Sequence, residues 1–466
     1  MKRTEISQEY KWKIEDLYAT NEAWEADFAS LQKGIEELGK FEGTLGEAAE
    51  NLQALMEKSN ELNQLAEKVY VYANQRLHEN MGDTLYQGLS GRAQMILVQM
   101  SEAASYIEPE ILAIPEEKLE EMMKEEGLRK YETYFRRLLR RKEHILSKEM
   151  EELLAGVDEV AEGPKDTFMM FNNADIKFPV IKGEDGEPVE ITHGRYVKLL
   201  ESQNRDVRKA AFEGLYGAYG KFKNTLAATY RANVKQAGFF AKARKYESSL
   251  KAALAGSHIP VEVYDSLIES VHAHLPALHE YVKVRKEKLG VEELHMYDLY
   301  VPMVGEADKK IPYEEAKEIV LNGLAPLGED YLELLKKGFN EGWIDVYENE
   351  GKRSGAYSWG AYGTHPYVLL NYQDNLNNVF TLAHEMGHAL HSYYSDETQD
   401  YIYAGYKIFV AEVASTCNEA LLIRYLLDHS KDDIEKAYLL NYFLEQFRST
   451  LFRQTMFAEF EKLAHA

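Results

Sequence analysis

The stretch "TLAHEMGHALHSYYS", residues 381–395, decides what structure and chemistry this chain can have. It places His384 and His388 four residues apart, a spacing that puts two side chains on one face of a helix about one turn apart. Two imidazoles that point at one spot, with one carboxylate from elsewhere, give zinc three ligands and leave a fourth position for water. Glu385 projects beside such an ion, where it can take a proton from that water. The stretch therefore contains the H-E-x-x-H pattern that is typical of metalloproteases.

The structural alternative is a helix that merely carries surface histidines. The context favours a metal site, because the pattern lies on a predicted helix directly after a predicted strand. Thr381 is expected to cap the start of that helix, and a helix tolerates Gly387. The pattern therefore predicts a metal centre with Glu385 as its general base.

His391 is a tempting third ligand, since it lies near the same helix face. It stands a further turn along, about 4.5 Å of rise beyond His388, which is too far for one ion to reach all three rings. The metzincin pattern requires Gly at position 391 and His at 394, whereas this sequence has His391 and Tyr394. We expect His391 to pack near the ligands without binding the ion.

The third ligand is expected from a carboxylate downstream. Glu412 is favoured because its neighbours in "KIFVAEVASTC" are apolar, so that its carboxylate would be buried and would need a partner such as a metal. Glu419, in a more polar turn, is the runner-up. Three further candidates lie in a connection expected to be exposed, and they are Asp396, Glu397 and Asp400.

The composition is that of an ordinary globular protein, with 45% hydrophobic and 28% charged residues among 466. The net charge of -24, from 54 basic and 78 acidic residues, argues against nucleic acid and against anionic membrane surfaces as partners. Cys417 is the single cysteine, so no internal disulfide can form, which suits a reducing compartment. The sequence has no secretory signal and no run of about eighteen apolar residues. We expect a cytoplasmic protein.

Most of the sequence has helical periodicity, as in residues 51–80, where apolar residues recur every three or four positions. Two segments break this pattern. In residues 177–192 two short strand-like runs flank Asp185-Gly186, a strong hairpin signal. Residues 354–375 are rich in glycine and aromatics and predict one or two strands. We expect a mainly α fold with a small β-sheet or hairpin element near the metal-binding helices.

Longer stretches carry a family resemblance. "FTLAHEMGHALHSYY" (380–394) followed by "FVAEVASTCNE" (409–419) resembles the M3 family of zinc metallopeptidases, and within it oligoendopeptidase F. The likeness covers most of the chain, because other stretches are also similar to that family: "DIKFPVIKGEDGEPVEITHGRYVKLLES" (175–202), "ELHMYDLYVPMV" (293–304) and "SGAYSWGAYGTHPYVLLNYQDNLNNVF" (354–380).

The resemblance implies a mostly helical fold in which two helical lobes close around a deep substrate channel. It implies an endopeptidase that cleaves internal bonds of short peptides and excludes folded proteins. It also implies one zinc ion per chain, with His384, His388 and Glu412 as ligands and Glu385 as general base on zinc-bound water. The same ligands accept cobalt or manganese.

Residues 354–365 resemble the segment that, in this family, offers an edge strand to the substrate backbone. Such β-augmentation tolerates many sequences, because main-chain groups carry the binding. Gly360, Gly363 and His365 are the predicted substrate-binding residues, and for His365 a turn position before Pro366 is the alternative.

Two features of the sequence, "IEPEILAIPEE" (107–117) and the hairpin that precedes residue 200, place the boundaries of three regions. We expect an N-terminal helical region over 1–110, a helical region with the hairpin over 111–200, and the zinc-peptidase region over 201–466. Family members continue past Ala466 with a segment that carries a His and paired Tyr residues. Residues 440–466 stay amphipathic to the end. We therefore expect a truncated form, with a C-terminal segment of the same protein as a missing partner.

Two alternative functions remain at this point. An exopeptidase of the same zinc class would need a charged anchor for a peptide terminus, and Lys352-Arg353 could bind a carboxylate. A truncated, catalytically incomplete form would bind zinc and peptide without hydrolysing the peptide.

Overall fold

The computed structural model describes residues 1–304 and 310–466. Helices make up 71% of the chain and the sheets in the described part are small, which confirms the predicted mainly α fold. The contacts divide the chain into two compact units, one of Met1–Lys142 with Lys309–His429 and one of Glu143–Asp308 with Ser430–Ala466. The three consecutive regions and the substrate channel expected from the sequence stay predictions. In the part of the chain described, no helix combines the length and apolar character needed to cross a membrane.

The first unit begins with helices that pack side by side. They are α1 (Asn21–Leu38), α2 (Ala49–Glu79), α3 (Thr84–Ala103), α4 (Ile107–Ala113), α5 (Glu116–Met122), α6 (Glu126–Arg129) and α7 (Glu132–Arg141). The Thr20 hydroxyl caps α1 by accepting a hydrogen bond from the backbone N–H of Ala23. Trp24 is fully buried, and its ring N–H donates to the backbone oxygen of Val69 on α2 at 2.8 Å. This bond satisfies the one polar atom of a large apolar side chain in the core.

The second unit contains the predicted hairpin. Its elements before the gap are α8 (Lys148–Ala161), α9 (Gly163–Met170), β1 (Val180–Lys182), β2 (Pro188–Glu190), α10 (His193–Leu200), α11 (Arg205–Gly220), α12 (Lys223–Ala243), α13 (Ser249–Ala255) and α14 (Val261–Leu289). β1 and β2 pair antiparallel with Ile181 opposite Val189, which confirms the hairpin. Gly186 lies in the turn with φ of 87°, a backbone conformation that glycine adopts at little cost.

Buried charge stabilises the second unit beside a small apolar cluster of Leu200, Ala211 and Tyr297. The side chain of Asp298 is fully buried and accepts hydrogen bonds from Arg205 and Arg208. These charge-assisted bonds join α11 to the segment after α14, and they satisfy a carboxylate that burial would otherwise penalise.

The remaining elements of the first unit include those of the candidate site. They are α15 (Tyr313–Gly323), α16 (Glu329–Asn340), β3 (Ile344–Asp345), β4 (Tyr357–Trp359), β5 (Tyr367–Leu369), α17 (Leu376–Thr398), α18 (Tyr401–Ala404) and α19 (Ile408–Asp428). The last two helices, α20 (Asp433–Gln446) and α21 (Arg453–Ala464), belong to the second unit. The strands predicted within 354–375 are confirmed as β4 and β5. The two-residue strand β3 was not predicted, because its partner lies more than 20 residues away in sequence.

The three strands form one sheet of order β3-β5-β4, with β5 parallel to β3 and antiparallel to β4. All three residues of β5 are buried. The Val368 N–H donates to Trp343 on the β3 side, so the paired residue Ser358 of β4 turns its own N–H and C=O away from β5. Within the described residues, β4 is therefore an edge strand whose open side carries the N–H and C=O of Ser358.

Candidate metal centre

α17 supplies two of the predicted ligands, although it begins earlier than expected. The cap is Asn375, whose side chain accepts the Asn378 N–H, and not Thr381, whose hydroxyl donates to the backbone oxygen of Asn377. The predicted cap at Thr381 was wrong because an Asn six residues upstream satisfies the free N–H groups of the first turn.

α17 and α19 approach each other closely at Gly387. A Cβ placed on Gly387 would lie 2.7 Å from Ser415 Cα and 2.9 Å from Ser415 N, so any larger residue would force the helices apart. The buried Asn418 side chain fastens the same contact by donating to the backbone oxygen of Ala383 at 2.9 Å. This packing brings the start of α19 alongside the two histidines of α17.

His384, His388 and Glu412 meet at this contact. The two Nε2 atoms are 3.1 Å apart, and Glu412 Oε2 lies 3.4 Å from that of His384 and 3.3 Å from that of His388. Tetrahedral ligands at about 2.0–2.1 Å from a zinc ion lie about 3.3–3.4 Å from one another. Among the described residues, these three form the group whose ligand atoms suit a metal ion.

The protonation of His384 also suits a cation. Its Nδ1 lies 2.7 Å from Glu419 Oε1, and an ionised carboxylate only accepts, so Nδ1 carries the proton and donates it. In the neutral ring, Nε2 then has a free lone pair that faces His388 and Glu412. Burial opposes protonation of His384, but the hydrogen bond and charge of Glu419, together with the charges of Glu385 and Glu412, outweigh it and raise the pKa of the ring. Glu419 thus stabilises positive charge on His384, whether a proton or a metal ion brings it.

Glu419 was the runner-up ligand in the sequence analysis. Glu419 contacts His384 Nδ1, the ring nitrogen that points away from Glu412. This is the position of a group that orients a metal ligand, not of a ligand itself. The other downstream carboxylates lie elsewhere. Asp396 and Glu397 belong to the last turn of α17, and Asp400 precedes α18.

The expected burial of Glu412 is wrong. Its side chain is 60% exposed, and its apolar neighbours Phe409 and Val413 are more than half exposed. The apolar run suggested a buried helix, but residues 408–410 and 413 at the start of α19 are exposed. Glu412 meets the histidines because of its position on the helix, and burial plays no part.

Glu385 is buried, at 8% exposure, unlike His384, His388 and Glu412. Burial raises its pKa to about 7, His384 and a hydrogen bond from the Ser358 backbone lower it, and Glu412 raises it. Ser358 belongs to the edge strand β4, so the strand and the carboxylate are in direct contact. A carboxyl group that titrates near neutral pH can both accept and release a proton.

His391 and Cys417 lie outside the three-residue group. The ring of His391 stacks on Tyr406, with centroids 3.8 Å apart, as expected for a packing residue. Cys417 is exposed.

The predicted substrate-binding residues have structural partners. His365 stacks on Trp343, and its two nitrogens lie 2.8 Å from the Pro366 backbone oxygen and 3.2 Å from Asp16 Oδ2. A Cβ on Gly360 would lie 3.3 Å from Pro366 Cα, and Gly363 has φ of 77°. These glycines fit a tight loop, and their part in substrate binding stays a prediction.

The predicted carboxylate anchor is only half accessible. The Lys352 side chain is fully buried and forms an ion pair with Asp345 at 2.7 Å. Arg353 is exposed and donates to His78 Nε2 at 2.9 Å. Lys352 is therefore unavailable to a peptide terminus.

Sequence spacing missed one further residue at this site. The Ser415 hydroxyl lies 2.8 Å from Glu412 Oε2. Glu412, Ser415 and Glu419 are three and four residues apart, so their shared helix face was a signal that could have grouped them.

Two family models match the chain. The one described as Peptidase family M3 covers residues 198–466, and the one described as Oligopeptidase F covers residues 110–178. The chain belongs to peptidase family M3. Membership makes it a metallopeptidase, and the resemblance noted in the sequence is confirmed.

Known relatives of this M3 peptidase are longer than it is. Oligopeptidase PepF of Bacillus subtilis (strain 168) is 47% identical over 464 residues, which are 99% of this chain and 69% of the relative. Oligoendopeptidase F homolog of Lactococcus lactis subsp. lactis (strain IL1403) is 43% identical over 99% of this chain and 77% of its own length. The expected truncation stays a prediction.

Solved structures share the fold. Oligoendopeptidase-F from Enterococcus faecium superposes with a TM-score of 0.69 at 39% identity, over 96% of this chain and 75% of that one. A crystal structure from Chlamydophila abortus gives a TM-score of 0.90 at 31% identity, over 100% of this chain and 78% of that one.

Proposed function

We propose that this M3 peptidase is a zinc-dependent endopeptidase that hydrolyses internal bonds of short oligopeptides. The observation that carries the proposal is the meeting of His384 Nε2, His388 Nε2 and Glu412 Oε2 within 3.4 Å of one another, on the helix that also holds the buried Glu385. Relatives named oligopeptidase or oligoendopeptidase support the substrate class.

His384, His388 and Glu412 would hold the ion. Zinc bound by them would supply a Lewis acid that polarises the scissile carbonyl and shares its developing negative charge. Two imidazoles and one carboxylate are a donor set that zinc favours, and cobalt or manganese also accept it. Glu419 orients the His384 ring through its Nδ1–H, so that Nε2 keeps its lone pair directed at the site.

Glu385 is the proposed general base. Its carboxylate accepts a proton from the attacking water as that water's oxygen bonds to the scissile carbon, and it then donates the proton to the leaving amine as the C–N bond breaks. The hydrogen bond from the Ser358 N–H fixes the carboxylate against the edge strand. Burial raises the pKa of Glu385 above the usual range of a carboxyl group, which makes it a stronger proton acceptor.

β4 is the proposed platform for the substrate backbone. An extended peptide that adds to its open edge would meet the Ser358 C=O and lie beside Glu385, to which the Ser358 N–H donates. Backbone pairing gives binding with little dependence on side chains, which suits an enzyme for varied oligopeptides.

Glu385→Gln tests the chemistry. The variant keeps the shape of the side chain but cannot accept the proton, so it should bind one zinc ion and lose at least about 100-fold in turnover of a fluorogenic peptide. Glu397→Gln, at the exposed end of the same helix, is the matched control and should keep normal activity. Near-normal turnover by Glu385→Gln, or zinc binding without hydrolysis by the unaltered chain, would refute the proposal.

An exopeptidase would require a free peptide terminus. The burial of Lys352 removes half of the anchor expected for a terminal carboxylate, which favours the endopeptidase. Peptides blocked at both ends should be cleaved as fast as free ones of the same sequence. Cleavage restricted to free peptides would reverse this choice.

A further inference from the structure

Ser415 lies on α19 between the two carboxylates of the metal centre, three residues after Glu412 and four before Glu419. It is fully buried, and its Oγ lies 2.8 Å from Glu412 Oε2 and 3.1 Å from the Glu412 backbone oxygen. A hydroxyl has one proton to donate. The carboxylate oxygen is closer and charged, so it is the stronger acceptor of the two.

The Glu412 carboxylate needs such a contact because little else fixes it. Its side chain is 60% exposed, and its ion-pair partners among the described residues are His384 and His388. A solvent-exposed glutamate has several rotamers available, and holding it in one of them costs entropy. Oε2 is the oxygen that faces both rings and also accepts from Ser415, so the hydroxyl acts on the ligating oxygen itself.

The hydroxyl is attached to a rigid part of the chain. Ser415 Cα and N lie against Gly387 of α17, at the residue before His388. The position of Oγ is therefore set by the same helix contact that sets the position of the His388 ring. A donor fixed in this way holds the Glu412 carboxylate of α19 at a set position relative to α17.

We propose that Ser415 is a positioning residue for the metal centre. It holds Glu412 Oε2 at the distance from the two imidazoles that a divalent ion requires. The proposal rests on the proposed function in one respect only, that the three-residue group binds a metal. Thr416 offers a matched comparison, because its hydroxyl donates to the backbone oxygen of Glu412 and not to the carboxylate.

Ser415→Ala and Thr416→Ala test this role in the full chain. Zinc affinity is measured by competition with a chromophoric chelator, and ligand geometry by the visible absorption bands of the cobalt-loaded protein. Ser415→Ala is expected to weaken zinc binding about 10- to 100-fold and to alter the cobalt bands, because the carboxylate ligand is no longer fixed. Thr416→Ala should match the unaltered chain in both measurements.

Thermal unfolding by circular dichroism separates this effect from loss of fold. Alanine adds no bulk against Gly387 and favours a helix, so both variants should melt as the unaltered chain does. Zinc affinity and cobalt bands of Ser415→Ala equal to those of Thr416→Ala would overturn the positioning role alone. Absence of metal uptake by the unaltered chain would overturn the proposed function and this inference with it.

Discussion

The two ring nitrogens of His384 face different partners. One nitrogen can therefore bind a metal while the other holds the ring in a fixed orientation. Nδ1 is held by Glu419 at 2.7 Å, and Nε2 faces His388 and Glu412. The carboxylate fixes the tautomer and the ring plane together. Without such a partner the ring would also adopt the tautomer in which Nε2 carries the proton, and Nε2 could then not bind a metal.

Glu419→Ala should therefore weaken zinc binding about 10- to 100-fold without unfolding the chain. Asp428→Asn is the control, since Asp428 lies on the same helix and forms an ion pair with Arg424 at the surface. Competition titration with a chelator measures both affinities. Equal affinities in the two variants would show that the Glu419 contact does not orient the ring.

The sequence could predict His384, Glu385 and His388 because they lie within five consecutive positions of one helix. Glu412 was chosen for a reason that failed, since its side chain is mostly exposed. Its nearness to the rings depends on how two helices pack, and a single sequence contains no direct record of that packing. Ser415 shares a helix face with Glu412, but the sequence does not show that this face meets α17.

At the scale of elements, the contact between α17 and α19 determines whether the three side chains can meet. Gly387 permits this contact because a Cβ there would lie within 3.0 Å of three backbone atoms of α19. Backbone atoms cannot rotate away as a flexible side chain can, so the helices themselves would have to separate.

Gly387→Ala should destabilise the fold by about 1–3 kcal/mol through overpacking, and it should also abolish tight zinc binding. Gly88→Ala in α3 is the control, because nothing lies within 4 Å of a Cβ at that position. There the exchange should be neutral or stabilise by roughly 0.5–1 kcal/mol, since glycine is unfavourable inside a helix. Chemical denaturation and zinc titration provide the two readouts. Unchanged metal affinity in Gly387→Ala would contradict the role of this contact.

Strands were predicted where turn chemistry or aromatic runs marked them, as with the hairpin around Gly186 and with β5. β3 is only Ile344–Asp345 and is defined by its parallel pairing with β5. Two residues cannot show an alternating pattern, so this strand exists only through its tertiary partner.

At the scale of the whole molecule, buried charges join distant parts of the first unit. Asp345 accepts hydrogen bonds from Arg3, 342 positions away in sequence, and forms an ion pair with Lys352 at 2.7 Å. The Asp345 and Lys352 side chains are at most 1% exposed. No local pattern reveals such a network, which is why the sequence alone could not foresee a unit built from two separate segments.

Asp345→Asn should destabilise the chain by about 3–5 kcal/mol, because it leaves the buried Lys352 without a counter-charge. The matched surface exchange Asp428→Asn should cost no more than about 1 kcal/mol. Urea denaturation at neutral pH gives both values. A loss for Asp345→Asn no larger than that for Asp428→Asn would contradict the importance of the network.

The same carboxylate predicts how stability depends on pH. Burial opposes ionisation of Asp345, but Lys352 and Arg3 outweigh it and lower its pKa. A lowered folded-state pKa gives stability that is fully present above about pH 4 and is lost as pH falls through the folded value. Melting temperatures measured from neutral to acid pH should fall less steeply in Asp345→Asn, and parallel curves would contradict this assignment.

The proposed activity requires His384, His388 and Glu412 to bind one divalent ion together. Anomalous scattering at the zinc absorption edge, measured on crystals of the full chain grown with zinc, tests this directly. We expect one strong peak about 2.0–2.2 Å from His384 Nε2, His388 Nε2 and a carboxylate oxygen of Glu412. No peak there, or a peak bound by other residues with Glu412 turned away, would contradict it.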